Sequence, residues 1–333
     1  MYKKIYVLCP GGIKTGGTEL LHQLVFALNH IGNNAKIVYT GKNVGIQRAF
    51  EKYVYCYTYD LTSIDEDCEN LLIVSETQIE YLNNYKNIKK AIWWLSVDNY
   101  IKNASFVARY KLYGLGSAVY RWVKGNIHDR RVEILAADIH FCQSIYAVKY
   151  LESDYDIGTN KIKYLSDYIN DCYTTEYHGV IKNNRQNIVL YNPKKGYQFT
   201  KKLIKMTPDI QWIAIENMTN EEVRALLRKG KCYVDFGNHP GKDRFPREAA
   251  ICGCIVITGR RGSAAYSEDV CIPEKFKFDE KRIKKSVIVD NIRMALQNYS
   301  DCIDEFDNYR QLILKEKDKF MADVKEIFTL DIS

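Results

Sequence analysis

With 333 residues, of which 46% are hydrophobic and 27% charged, the chain has the composition of a folded, water-soluble protein of about two domains. The net charge of +7 favours phosphate-bearing ligands or anionic surfaces, but the basic residues are spread over both halves, which argues against a nucleic-acid partner. The ten cysteines form neither a Cys-x-x-Cys pair nor a metal-like spacing with histidine, so we expect reduced thiols, no metal site and a cytoplasmic protein. No apolar run approaches the roughly 20 residues of a membrane span, and the N-terminal apolar run is too short for a signal sequence.

The N-terminal segment predicts the start of a doubly wound α/β domain. Ile5 to Cys9 is typical of a short buried strand, and a glycine-rich loop from Pro10 to Gly17 follows it. A helix with Thr18 as its predicted N-cap comes next, and Ala35 to Thr40 is predicted to be the second strand. The loop lacks the dinucleotide fingerprint and the lysine of a P-loop, yet its backbone N–H groups can still bind a phosphate at the helix start.

Polar side chains follow two of the later strands in the first half. Further strands are predicted at Tyr53–Tyr57, Leu71–Ser75, Ala91–Leu95, Ile139–Cys142 and Lys161–Leu165. Glu76 and Asp98 come directly after the second and third of these strands. In a parallel sheet both would lie on the same rim as the glycine-rich loop. They belong either to a ligand site on that rim or to the caps of the following helices, and both alternatives remain open.

The segment from Tyr100 to Arg131 interleaves basic and aromatic residues. Gly114, Gly116 and Gly125 interrupt it, so it does not predict one long amphipathic helix. One interpretation is a segment that binds an acceptor or lies on a membrane surface, which would place the protein peripherally at the inner face of the membrane. The other interpretation is a solvated, partly packed loop region.

A change in composition marks the predicted domain boundary. We predict an N-terminal Rossmann-like domain over residues 1–168, a polar linker over 169–186 and a second Rossmann-like domain over 187–300. Residues 301–333 are predicted to form a C-terminal helix, either staying with the second domain or crossing back to the first. Two α/β halves joined by a linker imply a cleft, and ligand sites favour such interfaces.

The second half repeats the alternation of strands and helices. Strands are predicted at Asn187–Tyr191, Gln211–Ile215, Lys231–Phe236 and Cys254–Thr258, and helices at Tyr197–Met206, Thr219–Arg228, Pro246–Gly253, Asp279–Gln297 and Asp301–Phe328. Thr219 and Glu222 have the spacing of a capping box at the start of the second of these helices. The fold class predicted by the whole pattern is therefore α/β, with parallel sheets in both halves.

Charged residues accumulate between Tyr233 and Ser263. Pro246 suits a first helical position, and Glu248 would then fall in the first turn, where the helix dipole favours a carboxylate. The stretch gathers His239, Lys242, Asp243, Arg244, Arg247, Glu248, Arg260 and Arg261. They lie near the predicted carboxyl ends of two strands, which is where open α/β sheets bind ligands.

Several motifs occur in the order in which one enzyme family carries them. Gly16-Gly17-Thr18-Glu19 opens the first helix, Lys194-Lys195-Gly196 follows the strand that opens the second half, and Glu248 to Ile257 reads EAAICGCIVI. Together with the turn at Gly262-Ser263, these motifs resemble the GT-B glycosyltransferases, and most closely the family-4 type that uses nucleotide sugars. The resemblance covers most of the chain and is most specific in the second half.

This resemblance implies two Rossmann-like doubly wound domains that face each other across a cleft, with residues 1–168 on the acceptor side and residues 187–300 binding the nucleotide sugar. It also implies transfer of a sugar from a nucleotide-diphosphate donor to a glycan or lipid-linked acceptor, in surface polysaccharide or glycoconjugate biosynthesis. The donor is a substrate, so no separate cofactor and no metal are expected. The catalytic residues implied are Lys195, Arg247, Asp98 and Asp243. The substrate-binding residues implied are Gly16, Gly17, Lys194, Arg244, Glu248, Arg261, Gly262 and Ser263.

The residue types suit this chemistry. A carboxylate such as Glu248 can accept hydrogen bonds from both ribose hydroxyls. Lysine and arginine, with helix N-terminal amides, can stabilise the charge that grows on a diphosphate leaving group without a metal ion.

One departure from the family pattern lies at position 240. The family usually has a second Glu eight positions before the helix Glu, in contact with the donor sugar, and this chain has Pro240 there. Asp243 or the backbone of residues 239–242 is the candidate replacement. The departure also leaves two alternatives to a transferase: a catalytically degenerate GT-B protein that binds a sugar nucleotide or a partner, and another GT-B enzyme such as a nucleotide-sugar epimerase.

Overall fold

A computed structural model describes residues 2–42, 45–54, 56–175 and 177–329 of the chain. The remaining positions, which include residue 55 of a predicted strand, residue 176 of the predicted linker and residues 330–333 of the predicted last helix, lie outside this part. The described chain forms two compact units. One comprises the chain up to Asp167 together with the chain from Asp318 onward, and the other comprises Tyr168–Lys317.

The first unit is built on a parallel sheet of seven strands. The strands are β1 (Ile5–Pro10), β2 (Ala35–Thr40), β3 (Tyr57–Thr58), β4 (Leu71–Ser75), β5 (Lys89–Trp94), β6 (Ile139–Cys142) and β7 (Ile162–Tyr164). Their order is β3-β2-β1-β4-β5-β6-β7, so the chain changes direction across the sheet between β1 and β4. Side chains such as Leu8, Ile73 and Trp93 are fully buried, as expected for a parallel sheet covered on both faces.

Short helices cover this sheet. They are α1 (Gly16–His30), α2 (Val97–Ala104), α3 (Phe106–Tyr113), α4 (Leu115–Val123), α5 (Arg131–Ala136) and α6 (Ile145–Tyr155). The prediction that Thr18 caps the first helix was wrong by one turn. Thr15 is the N-cap: its Oγ1 accepts from the N–H of Thr18 at 3.3 Å, and its own N–H donates to Thr18 Oγ1 at 2.9 Å. Thr18 is therefore the third helical residue of a capping box.

The second unit has a parallel sheet of five strands. The strands are β8 (Gln186–Tyr191), β9 (Gln211–Ala214), β10 (Gly230–Asp235), β11 (Ile255–Gly259) and β12 (Lys277–Phe278). The order β12-β11-β10-β8-β9 reverses between β8 and β10. The helices are α7 (Tyr197–Met206), α8 (Asn220–Lys229), α9 (Arg244–Ile251), α10 (Lys285–Gln297), α11 (Tyr299–Asp304) and α12 (Asp307–Thr329). Both units are thus doubly wound, and the predicted α/β class is confirmed.

Helix α9 begins two residues earlier than the sequence predicted. Asp243 is its N-cap and Arg244 its first residue, so Pro246 is the third helical residue and Glu248 the fifth. Proline is tolerated there because the first four N–H groups of a helix have no partner within the helix. The prediction that Glu248 lies in the first turn was therefore wrong. The capping box of Thr219 and Glu222 at the start of α8 is confirmed.

The first and last chain segments of the second unit are not part of its sheet. Ile169 and Tyr173, from the predicted linker, are buried in the core of the second unit. Helix α12 contributes side chains such as Ile313 to the same core. Its far end belongs to the first unit, where the ring of Phe328 lies 5.5 Å from that of Phe141. Among the described helices, none is both long enough and apolar enough to cross a membrane.

Candidate functional site

The switch point of the second sheet lies between β8 and β10, which are neighbours although the chain leaves them in opposite directions. At such a point the loops after two adjacent strands diverge and leave a crevice outside the carboxyl ends of the strands. The loops here are residues 192–196 and 236–243. Both carry residues that the sequence placed in the site.

Two glycines allow these loops to approach each other. Gly196 has a φ of +61°, and a Cβ there would collide with the backbone carbonyl of Phe236. Gly262, in the turn after β11, has a φ of +56°, and a Cβ there would collide with the carbonyl of His239. Both positions need a left-handed backbone and an absent side chain, so only glycine suits them.

Lys195 meets Asp243 at this switch point. Its Nζ donates a hydrogen bond of 2.6 Å to Asp243 Oδ2. The lysine side chain is 29% exposed and the aspartate 13%, so the pair lies at the border between protein and solvent. A half-exposed ammonium whose position is set by a buried carboxylate can bind an incoming anion with little loss of side-chain entropy.

A buried histidine extends this pair. His239 is fully buried, and its Nδ1 lies 3.1 Å from Asp243 Oδ2 while its Nε2 lies 3.7 Å from Asp235 Oδ1. Neither ring nitrogen makes a hydrogen bond of good geometry, so the attraction to the two carboxylates is mainly one of charge. Asp235 is oriented by the hydroxyl of Tyr233 at 3.0 Å and the N–H of Gly237 at 2.9 Å.

The charges in this cluster shift one another's pKa values. Burial alone would raise the pKa of Asp243, but Lys195 and His239 hold it at about 2. Burial alone would lower the pKa of His239, but Asp235 and Asp243 outweigh burial and raise it. When His239 is protonated, the positive charges of Lys195 and His239 balance the negative charges of Asp235 and Asp243. This balance lowers the free-energy cost of burying the cluster.

Asp235, His239 and Asp243 could also hold a metal ion, since their ligand atoms lie within 4.8 Å of one another. The sequence predicted no metal, because the chain has no metal-like spacing of cysteine and histidine and because basic side chains can supply the positive charge. The ammonium of Lys195 lies on Asp243, where a metal would have to compete with it. The residues therefore suit an internal ion-pair network at least as well as a cation.

Arg247 supports the loop from inside the protein. Its side chain is fully buried, its Nη1 donates to Glu316 on α12 at 2.8 Å, and its Nη2 donates to the carbonyl of Lys242 at 2.9 Å. The Nζ of Lys242 also lies 2.9 Å from Glu316. The sequence predicted Arg247 as a catalytic cation, but the structure places its guanidinium among protein groups rather than at the solvent border.

The turn after β11 closes the other side of the loop. Ser263 is buried, its N–H donates to the carbonyl of His239 at 2.9 Å, and its Oγ donates to the carbonyl of Gly241 at 2.6 Å. Both donors of Ser263 are thus used to hold the loop. Arg261 is paired with Glu280 and also donates to Asn238 Oδ1 at 3.2 Å.

Glu280 is a residue that the sequence did not single out. Its side chain is 8% exposed, and its Oε1 has no hydrogen-bond partner among the described residues. This oxygen lies beside Gly259, where a Cβ would approach it to 2.6 Å. Burial raises the pKa of Glu280, and Arg261 only partly offsets that shift. A short strand before it, β12, went unpredicted, so nothing in the sequence placed Glu280 at the carboxyl edge of the sheet.

The remaining candidates of the second unit surround the same loops. Lys194 is exposed, and its N–H donates to Asn192 Oδ1 at 2.9 Å. Arg244 is half-buried at the first position of α9. Glu248 is 9% exposed and lies beside Tyr173, whose pKa is raised first by burial and then by the charge of Glu248.

The first unit has a rim of its own at the carboxyl ends of β1, β4 and β5. Gly16 and Gly17 are the first two residues of α1, and Asp98 is the second residue of α2. Asp98 accepts a hydrogen bond of 2.7 Å from the hydroxyl of Tyr146. Glu76, at the end of β4, is buried and accepts from the N–H of Leu95 at 3.0 Å; burial raises its pKa to about 7, although backbone donors oppose the shift.

The structure therefore brings the predicted residues together in two places. Around the second switch point lie Lys194, Lys195, Asp243, Arg244, Arg247, Glu248, Arg261, Gly262 and Ser263. On the rim of the first unit lie Gly16, Gly17 and Asp98, together with Glu76.

Comparison with known proteins shows the fold through solved structures, whereas family models and curated sequences give no match. No model of a known protein family matches the chain, and no curated protein sequence matches it significantly. Among solved structures, TarM matches with a TM-score of 0.69 at 10% identity over 99% of each chain. Sucrose-phosphate synthase from Thermosynechococcus elongatus matches with a TM-score of 0.65 at 12% identity over 98% of each chain.

A third structure, HepE from Anabaena in complex with UDP, matches with a TM-score of 0.62 at 11% identity. The match covers 98% of this chain and 99% of HepE. Identities this low show a shared fold and no closer relationship. The narrower resemblance to family 4 stays a prediction, whereas the chain as a whole has the GT-B fold of the glycosyltransferases, as its sequence motifs predicted.

Proposed function

We propose that this protein is a glycosyltransferase that moves a sugar from a nucleotide-diphosphate donor to a glycan or lipid-linked acceptor. The observation that carries the proposal is the ammonium of Lys195, held by Asp243 at the switch point of the second sheet. The structural match to HepE, which has been solved with UDP and with UDP-glucose, supports a nucleotide-sugar donor. We place the reaction in the cytoplasm, in the biosynthesis of surface polysaccharide or a glycoconjugate.

Lys195 is the catalytic cation in this proposal. As the glycosidic bond breaks, negative charge grows on the diphosphate leaving group, and a preorganised ammonium stabilises that charge more in the transition state than in the bound donor. The donor phosphate would share Lys195 with Asp243, which keeps the ammonium in place. Since the side chain supplies the positive charge, the reaction needs no metal ion.

Other residues of the second unit bind the donor. Lys194 and Arg244 lie beside the loops and supply further positive charge to the diphosphate, and Glu248 accepts from the ribose hydroxyls. Arg247 and Ser263 have a different role in our proposal from the one that the resemblance implied. Because their donors are bonded to protein groups, they hold the loop in shape and do not contact the donor.

Glu280 supplies the carboxylate that position 240 lacks. Asp243 is engaged by Lys195 and by His239, so it is a poor acceptor for a sugar hydroxyl. Among the described residues, one buried carboxylate oxygen of Glu280 has no hydrogen-bond partner, and it lies beside the same loops. A ligand hydroxyl can reach this oxygen only by displacing the side chains that cover it, and donating to it would then remove the cost of leaving it unpaired.

The acceptor side belongs to the first unit. Asp98, oriented by Tyr146, is the residue that we assign to the acceptor hydroxyl, and α1 begins at Gly16 and Gly17 on the same rim. Glu76 has a pKa of about 7, in the range that suits a general acid or base near neutral pH. Its hydrogen bond to the N–H of Leu95 also supports the start of α2, so its role there is partly structural.

The test is release of free nucleotide from a panel of nucleotide sugars, with and without glycan and lipid-linked acceptors. A glycosyltransferase releases nucleotide only when its acceptor is present, and Lys195→Ala should lower the turnover number by about 100-fold at saturating donor. Lys194→Ala is the matched control and should lose much less, because in the described part of the chain no carboxylate pairs with the exposed side chain of Lys194. Equal turnover in wild type and Lys195→Ala would refute the assignment of Lys195.

Pro240 favours a second candidate, a GT-B protein that binds a sugar nucleotide or a partner without turnover. Such a protein would bind nucleotide but release none from any donor and acceptor pair. A nucleotide-sugar epimerase is a further alternative, and it would convert the donor in the absence of any acceptor. Nucleotide release separates the transferase from both alternatives. Analysis of the donor sugar after incubation without acceptor then separates the epimerase from the binding protein.

A further inference from the structure

Exposed hydrophobic side chains are concentrated in one short part of the first unit. Across the described part of the chain, eighteen large hydrophobic side chains are exposed, and ten of them lie between residues 107 and 135. The ten are Val107, Tyr110, Tyr113, Leu115, Val119, Tyr120, Trp122, Val123, Val132 and Leu135. Single exposed apolar residues are normal on a protein surface, but a dense group of this kind marks an interaction surface.

Most of this group lies on a helical hairpin formed by α3 and α4. Gly114, with a φ of +83°, is the single residue between the two helices. The Nε of Arg109 on α3 donates to two atoms of Ser117 on α4, the carbonyl oxygen at 3.2 Å and Oγ at 3.1 Å. These polar contacts join the two helices. We call this Arg109–Ser117 contact the arginine clamp. The helices are joined through it, and the large apolar side chains lie on the outside.

The apolar residues of α4 follow a helical period. Leu115, Val119, Trp122 and Val123 are spaced as i, i+4, i+7 and i+8, which places them on one face. Trp122 is 65% exposed and Val123 is 70% exposed. A tryptophan of this exposure beside aliphatic residues is typical of a helix that lies in the plane of a membrane interface.

The charge of the hairpin has a single sign. From Phe106 to Lys124 the sequence contains four basic residues, Arg109, Lys111, Arg121 and Lys124, and no acidic residue. Lys111 and Lys124 are exposed and Arg121 is half-buried, while Arg109 forms the clamp. A surface of apolar and basic side chains without carboxylates is complementary to anionic lipid headgroups over an acyl layer, and is less suited to a mixed-charge protein surface.

We propose that the α3–α4 hairpin docks this protein on an anionic lipid bilayer, with Trp122 and Val123 at the boundary between headgroups and acyl chains. Lys111, Arg121 and Lys124 would then contact lipid phosphates. Docking would bring the protein to a lipid-linked acceptor in the membrane. Only this consequence rests on the proposed function. Membrane binding itself is a separate property and is measured without any sugar donor.

The experiment is sedimentation of the full chain with vesicles of phosphatidylcholine alone and of phosphatidylcholine mixed with phosphatidylglycerol. We expect binding to the mixed vesicles, weakened by added salt, and little binding to neutral ones. Trp122→Ser with Val123→Ser should lower the partition coefficient by about tenfold or more. Lys111→Gln with Lys124→Gln should lower it roughly fivefold for each charge removed.

Two controls make the outcome decisive. Ile181→Ser with Val287→Ser removes exposed apolar residues from the second unit and should leave vesicle binding unchanged. Light scattering on the same variants reports whether the hairpin instead covers a second copy of the chain.

Three results would each overturn the proposal. They are failure to bind anionic vesicles, vesicle binding that the hairpin variants do not change, and a fall in oligomer size on the loss of Trp122 and Val123. Thermal stabilisation by UDP is measured in parallel. If UDP stabilises the protein but anionic vesicles do not bind it, the membrane proposal fails while the proposed function stands.

Discussion

The two switch points of this molecule are built in different ways. At the second, between β8 and β10, the loops are held by charged side chains and by glycines that no other residue could replace. At the first, between β1 and β4, the glycine-rich loop is tight where it leaves β1, since a Cβ at Gly11 would lie 2.9 Å from Tyr59 Cε1, but it is open where it enters α1. A Cβ at Gly17 would make only an ordinary contact, 3.6 Å from Leu95 Cδ1, and Gly16 is exposed.

This difference suggests different tasks. A diphosphate needs charges held at defined positions, because preorganisation is what makes their electrostatic effect large. An acceptor side needs a surface that can admit a larger molecule, and an open rim with a few polar side chains suits that need. The following substitutions test whether the second switch point is as tightly determined as its contacts indicate.

The largest effect is expected from Arg247→Ala. The change removes one of the two cations that pair with the buried carboxylate of Glu316 in the described part of the chain and leaves Lys242, and breaking a buried ion pair costs about 3–5 kcal/mol. Urea unfolding measures the free energy. Arg130→Ala is the matched control in the first unit, because Arg130 pairs with Glu133 at 3.4 Å near the surface and should contribute less than about 1 kcal/mol. Similar losses for the two variants would contradict the contrast between the regions.

A smaller effect is expected from Gly262→Ala. The new Cβ would collide with the carbonyl of His239 and would require an unfavourable positive φ, so we expect a loss of more than about 2 kcal/mol together with weaker nucleotide binding. Gly17→Ala is the control in the first unit and should change stability by less than about 1 kcal/mol, since alanine favours the helix. If Gly262→Ala were as stable as wild type, the tight approach of the two loops would be wrong.

The smallest effect is expected at Glu76 and depends on pH. Its pKa rises from an ordinary value of 4.5 to about 7 on folding, so the folded protein loses stability as the pH rises between these values. Glu76→Gln removes the titration, and relative to wild type it should gain about 1–3 kcal/mol between about pH 5 and about pH 8. Urea unfolding at both pH values measures this difference. A difference that does not change with pH would mean that Glu76 is not buried as described.

Much of the fold could be predicted from local pattern. The strands at Leu71–Ser75 and Ile139–Cys142 and the helix at Tyr197–Met206 have the predicted bounds, because each has a clear period and clear breakers. The strand predicted at Tyr53–Tyr57 was wrong. Of the described residues in this run, only Tyr57 pairs in the sheet, whereas Tyr53 is buried with its hydroxyl 3.2 Å from Glu19 of α1. Aromatic residues in that run suit either a strand or a packed turn, and tertiary contacts decide between them.

Less of the candidate site could be predicted. The sequence placed Lys195 and Asp243 in the site but not in contact with each other, because their separation of 48 residues carries no local signal. For the same reason it could not show that Arg247 would meet Glu316, 69 residues away on the last helix. Glu280 was missed because it follows a strand of only two residues. Glycine and proline mark where loops occur, while the partners of each charge depend on how distant strands are ordered in the sheet.

The central claim is that the second switch point binds a nucleotide diphosphate through Lys195 and Glu248. The most direct measurement is the melting temperature of the protein with UDP, GDP, ADP, CMP and dTDP, each with Mg²⁺ or with EDTA. A ligand at about 100 times its dissociation constant stabilises by roughly 2.7 kcal/mol, which raises the melting temperature by several degrees. We predict such a shift for one nucleotide diphosphate, unchanged by EDTA and lost in Glu248→Ala. No shift with any nucleotide would contradict the claim and favour a GT-B protein without a donor site.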